Sequence, residues 1–200
     1  MQLQDLDAKK EFYQEVSNYV LNNQFDTAIY ILTEYRRTNQ NLTTQERLGT
    51  SIIIANCYLE IAKYHESLTI AISVENDPNL HRDHNLDKES YYKEAYYIKA
   101  RAYTELAIKN PDNRKHIETA RSHLGHALKD IINVHPHTQG KIYYTQALFS
   151  LNFDKTSELA KSYLDKTLKD FGGKYWNDKV KELQDQISSA ATKNKGFSIA

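Results

Sequence analysis

Eight histidines and one cysteine are the residues of this 200-residue chain best suited to metal or nucleophile chemistry. His81-x-x-His84 and His123-x-x-His126 each set two imidazoles about one helical turn apart, a spacing that can bring two metal ligands together. Two ligands do not make a zinc centre, which needs a third and, for hydrolysis, an acid or base. No His-Glu-x-x-His or Cys-x-x-Cys run accompanies these pairs. On that deficit His81 and His84 read as loop residues, and His123 and His126 as the polar side of a helix. Cys57 lies in an apolar stretch beside Tyr58, excludes an intramolecular disulfide and reads as a packed thiol. Asp87 and Glu89 are two residues apart, so they point in different directions around a helix and fit the positive end of its dipole. The sequence has no Gly-rich phosphate loop, no nucleophile elbow and no Gly-x-Gly-x-x-Gly after a strand. The expectation is a non-enzymatic protein with no cofactor and no metal, and a helical metalloenzyme built on the histidine pairs is the weakest alternative.

The elements that would position these residues are helical. Leu6, Phe12, Val16, Tyr19 and Val20 recur at helical spacing over 6–22, before a break at Asn22-Asn23. A second helix starts at Phe25, with Asp26 in its first turn and Ala28, Ile31, Leu32 and Tyr35 in register, and fades at Asn39-Gln40-Asn41. Asn41-Leu42-Thr43 matches a glycosylation acceptor, but Thr43 followed by Glu46 reads more simply as a capping box opening a third helix through Ala62. The fourth spans Tyr64 to Val74 and ends before Asp77-Pro78. A polar loop is expected over 79–87, then long helices over 88–109 and 114–133, separated by Asn110-Pro111-Asp112-Asn113. After His135-Pro136-His137, one helix carries Ile142, Ala147 and Leu151. The next carries Leu159, Ala160, Tyr163, Leu164 and Leu168 and stops at Gly172-Gly173. A last helix, about 175–191, has Trp176, Val180, Leu183 and Ile187 on one face, and residues 193–200 read as a flexible tail.

Six Gly and three Pro are few for this length and disfavour a turn-rich β architecture. Lys plus Arg equal Asp plus Glu at 26 each, so no net field draws the chain to nucleic acid or anionic lipid. No window approaches the roughly 18 apolar residues of a membrane span, and the N-terminus lacks a basic start and an apolar run. A soluble, cytoplasmic protein is expected.

A short pattern recurs: an aromatic in one helix, then an aromatic followed three residues later by a small residue opening the next. The clearest copies are Tyr19 with Phe25 and Ala28, and Tyr58 with Tyr64 and Ser67. On these residues, with Phe12, Ala55, Pro78, Ala100, Tyr103 and Ala147, the chain over about 9–171 resembles the tetratricopeptide repeat family. Ala120 falls eight residues later than the family's spacing places it and Ala160 one residue late, with Ser150 where an aromatic is usual. The resemblance implies an all-α solenoid of about four stacked antiparallel hairpins with a C-terminal capping helix, forming one domain over 1–192. It also implies that the first helix of each pair lines a concave face and exposes Tyr13, Ser17, Ile52, Asn56, Tyr97, Arg101, Lys141 and Tyr144 to a partner. Members that hold chaperone tails use a Lys and an Asn where Tyr13 and Ser17 stand, so that ligand is not carried over. The expected partner is a protein segment of apolar or mixed character, an extended peptide or a helix. A second reading is a self-associating structural subunit with Trp176 buried between copies.

Overall fold

The computed structural model describes residues 2–170 and 174–196, with side chains placed over 7–167 and 176–190. Gly172-Gly173 and the last four residues of the expected tail therefore lie outside the described residues, as do the side chains of Leu6 and Leu168. Among the described residues all regular structure is helical. The chain forms two compact units, 1–86 and 87–200.

The first unit holds α1 (Gln2–Leu21), α2 (Phe25–Thr38), α3 (Thr44–Glu60), α4 (Tyr64–Glu75) and the short α5 (Pro78–Arg82). The expected loop after Asp77 thus contains one helical turn and a half. Asp77 accepts from Asn79 N–H and Pro78 stands at the first helical position, where its missing N–H costs nothing. The capping box is formed as read: Thr43 Oγ1 accepts from Glu46 N–H, and the Glu46 carboxylate accepts from Thr43 N–H. The same carboxylate pairs with Lys9 on α1 at 2.9 Å, tying the helix start to the first helix.

Consecutive helices pack as pairs, α1 with α2 and α3 with α4. Their turns have the same geometry 39 residues apart in the sequence. Asn23 and Ala62 both take a left-handed conformation, each at φ 60°. Gln24 N–H donates to Tyr19 O at 2.9 Å, and Lys63 N–H donates to Tyr58 O at 2.9 Å. After each turn a buried aromatic, Phe25 or Tyr64, and a fully buried small residue, Ala28 or Ser67, face the first helix. Ser67 Oγ donates to Ala55 O at 2.8 Å, so the crossing is close enough for a side chain of one helix to reach the backbone of the other.

The second unit comprises α6 (Lys88–Lys109), α7 (Arg114–Leu128), a 3₁₀ turn at Ile131–Asn133, α8 (Pro136–Phe149), a π turn at Ser150–Asp154, α9 (Ser157–Asp170) and α10 (Lys174–Gly196). Here α6 pairs with α7, α8 with α9, and α10 packs on α9. α7 ends five residues before the expected 133, at a left-handed Asp130 and the 3₁₀ turn. α10 runs past 192 to Gly196.

Both departures from the repeat spacing have a helical explanation. Counted from Ala55 and Ser67 of the α3–α4 pair, α6 runs four residues further past Ala100, the connection is one longer and α7 starts three residues earlier before Ala120, so about two turns are added while Ala100 and Ala120 stay in one buried cluster with Leu124 and Phe149. The single extra residue between Ala147 and Ala160 is taken up by the π turn, and both alanines remain fully buried in one core. Lys93 secures the end of α7: its buried ammonium donates to His126 O at 2.9 Å and to Lys129 O, satisfying carbonyls at the negative end of that helix.

Left-handed backbone costs an alanine roughly 1 kcal/mol, whereas glycine adopts it freely. Ala62→Gly is expected to stabilise the protein by about 0.5–1 kcal/mol in thermal or urea unfolding. Asn23→Gly at the equivalent turn is expected to change less, because asparagine tolerates this conformation.

Candidate functional site

Three helices of the second unit each present one stripe of functional side chains. On α6 the stripe is Glu94, Tyr97, Arg101 and Glu105, at spacings of three and four. On α8 and the π turn it is Thr138, Lys141, Tyr144, Leu148 and Asn152. On α10 it is Trp176, Lys179, Glu182 and Gln186. The stripes converge on a cleft of about 240 Å³ lined by Arg101, Glu105, Tyr144, Asn152, Lys179 and Glu182, among others.

The floor of this cleft is a series of ring contacts. The Arg101 guanidinium lies 4.8 Å over the Tyr144 ring and pairs with Glu105 at 2.7 Å. Tyr144 in turn meets Trp176 edge-on at 5.5 Å, and the Lys179 ammonium stands 5.9 Å from the indole. Leu148 and Leu183, both buried, close the base. The charged lining is balanced, two cations against two carboxylates, and Glu182 and Gln186 are exposed.

Further along the same stripes, toward the N-termini of α6 and α8, a second polar cluster holds the two helices together. The Glu94 carboxylate accepts from both sides: Lys141 Nζ lies 2.9 Å from each oxygen, and Thr138 Oγ1 donates at 2.5 Å. Lys141 also sits 5.0 Å from the Tyr97 ring. Burial pulls the Glu94 carboxyl upward, but the Lys141 charge and the two donors outweigh it and hold the group below the usual carboxylate range. Crowding by the surrounding protein, then the Lys141 charge, push the His137 imidazole down to about 4, although by surface area the residue is exposed.

The eight residues expected on a concave face are therefore divided. Arg101 and Tyr144 line the cleft together. Tyr97 and Lys141 lie in the neighbouring polar cluster. All four are buried, with Tyr97 only 1% exposed, rather than presented to solvent. The reason is that long side chains of α6 and α8 satisfy one another: the cations lie on rings and the carboxylate lies between donors. In the first unit Ser17 is exposed, and Ile52 and Asn56 are half-buried, with Asn56 donating to Ile52 O at 2.8 Å. Tyr13 packs edge-on against Phe12 at 5.3 Å, and Phe12 stacks on Tyr35 at 4.3 Å. Burial, with Tyr35 and Glu46 nearby, pushes the Tyr13 phenol up to about 12.

Glu105, Asn152, Lys179, Glu182 and Gln186 were missed in the sequence reading. Glu105 follows Arg101 by four residues, a spacing that signals an ion pair. The α10 residues look in sequence like the polar face of a capping helix, and only packing shows that this face borders the cleft while Glu182 and Gln186 stay exposed. Trp176, expected between copies in the self-association reading, packs on Tyr144 within the unit.

The histidine pairs take other roles. His123 and His126 stack on Tyr96 at 6.1 and 5.0 Å, and His123 also stacks on Tyr103 at 5.9 Å, so imidazoles and phenols alternate between α6 and α7. Among the described residues no three His, Cys, Asp or Glu side chains come together as a metal would require. Cys57 is buried on α3, and burial with the nearby Glu60 pushes its thiol up to about 12. No helix among the described residues is long and apolar enough to cross a membrane. Comparisons with protein-family models, curated proteins and solved structures give no match for this chain.

Removing one member of a buried ion pair strands the other, so Glu94→Gln is expected to destabilise the protein by about 3 kcal/mol at neutral pH. A carboxyl whose folded pKa is lowered contributes stability above the ordinary carboxylate range and loses it as pH falls through the folded value. The gap between the unmodified chain and Glu94→Gln, measured by urea unfolding, is therefore expected to be flat from pH 5 upward and to shrink below about pH 4. His137, held at about 4, adds a separate loss of stability as pH falls from its ordinary value near 6.5. That loss is expected to disappear in His137→Gln.

Proposed function

We propose that this chain is a cytoplasmic, non-enzymatic scaffold of tetratricopeptide-like hairpins that receives a segment of a partner protein in the cleft between α6, α8 and α10. The observation that carries the reading is the convergence of three helical stripes on one cleft with a ring-stacked floor and charges of both signs at its rim. At about 240 Å³ the space is smaller than the 300–1,000 Å³ of most small-molecule pockets, and it suits one or two side chains of an extended peptide better than a whole substrate. The balanced lining favours an anchor that both donates and accepts, such as a carboxamide, over a strongly charged one. The repeated turn in the first unit, and the whole-turn lengthening of α6 and α7, support reading the helix pairs as one divergent repeat.

Trp176 is the chain's single tryptophan and borders the cleft through Tyr144, so its fluorescence reports occupancy. Screening a peptide library by that signal is expected to yield binders that Lys179→Glu and Glu182→Lys each weaken by about tenfold, with the helical circular dichroism unchanged. Peptides that bind equally well to both variants would move the site elsewhere, and no binder at all would sink the scaffold reading of this cleft.

A further inference from the structure

The first unit contains a separate concentration of positive charge. Arg36 and Arg37 in the last turn of α2 and Arg47 in the first turns of α3 border one pocket of about 500 Å³, together with the side chains of Thr33, Asn39 and Gln40. No carboxylate lines it. Two of the arginines are already matched. Arg37 forms a two-pronged pair with Glu34, its Nε and Nη2 at 3.1 and 2.7 Å from one carboxylate oxygen, and Arg47 pairs with Asp77. Arg36 is different. Its side chain is half-buried, and its bond is to a neutral group, the Ser51 hydroxyl, at 3.1 Å.

Placing Arg37 at the negative end of α2 is ordinary helix chemistry. A half-buried guanidinium with Arg47 as its charged neighbour is not, because desolvation and like charge both work against it. Burial and the Arg47 charge indeed lower its pKa. An anion in the pocket would remove that cost. From this arrangement we infer that the α2–α3 pocket binds a phosphoryl group, either as free phosphate or on a phosphorylated side chain of a partner. A tetrahedral dianion fits better than a carboxylate for two reasons. It carries the greater charge to offset Arg36 beside Arg47, and it has a third oxygen for the N–H donors that Arg37 and Arg47 have left after Glu34 and Asp77, where a carboxylate has two. The hydroxyl of Thr33 and the amide of Gln40 add donors at the rim.

The test uses the full chain and isothermal titration at low salt with four probes: inorganic phosphate, acetate, a phosphoserine peptide and the same peptide unphosphorylated. Phosphate is expected to bind at about millimolar affinity and more tightly than acetate, and the phosphopeptide at least as tightly as phosphate. Arg36→Gln is expected to reduce phosphate affinity by about tenfold or more, and Arg36→Lys to recover only part of it, since lysine restores charge without the fork. Should Arg36→Gln prove unstable, Arg37→Gln, on an exposed side chain, is expected to weaken binding by a smaller factor with the fold intact. A phosphopeptide that outbinds phosphate while its unphosphorylated form does not bind identifies a protein-borne group, and equal affinities identify the free ion. Acetate binding as tightly as phosphate, no heat with any probe, or unchanged affinity in the Arg36 and Arg37 variants would overturn the inference.

Discussion

The structure depends on close approach of paired helices at a position where both side chains are small. Ala55 meets Ser67, Ala100 shares a core with Ala120, and Ala147 shares one with Ala160, all fully buried. With little between the backbones, each pair packs at short range and the neighbouring aromatics fill the space beside the crossing. The candidate cleft is carried on helices whose orientation these contacts set. The stripe Glu94–Tyr97–Arg101–Glu105 faces α8 and α10 because Ala95, Ala100 and Ala107, on another side of the same helix, are committed to the core. Extra residues are accommodated as whole turns in α6 and α7, or as a π turn after α8, and neither device disturbs the crossing.

Much of this was legible in the sequence. Thr43 with Glu46 announced the start of α3 and Tyr64 that of α4, whereas Pro78 and Pro136, read only as marking the ends of the helices before them, also open α5 and α8. Local chemistry decides these features, so local sequence reports them. The short α5 was hidden because five residues with one buried leucine carry no periodicity. The site was less legible. Tyr97, Arg101, Lys141 and Tyr144 were expected to be exposed and are buried, because a buried Lys or Arg is stabilised by partners 40 or more residues away that no helical period reveals. His123 and His126 of α7 likewise gave a metal-like spacing, and they stack on tyrosines of α6.

The abundance of tyrosine follows from the same economy of partners. Tyr96 carries the Lys99 ammonium at 4.6 Å and stacks with imidazoles, Tyr97 receives Lys141, and Tyr144 receives Arg101. The rings cover the faces of buried cations whose N–H groups are engaged elsewhere, Arg101 with Glu105 and Lys141 with Glu94. The polar layer between α6 and α8 therefore fixes which faces of these helices meet, a specificity that an all-apolar contact would leave looser.

The buried lysines Lys93, Lys99 and Lys141 also divide the amines of this chain into two chemical populations. An acylating reagent, or an enzyme that modifies lysine, needs a neutral amine with an open approach. The ammonium groups of Lys93 and Lys141 are fastened to carbonyls or to a carboxylate, while that of Lys99 lies against a phenol. Surface lysines record the solvent, and these three record whether the α6–α7–α8 packing is closed. Their reactivity would rise together when the unit opens, giving the molecule an internal chemical gauge of its own integrity.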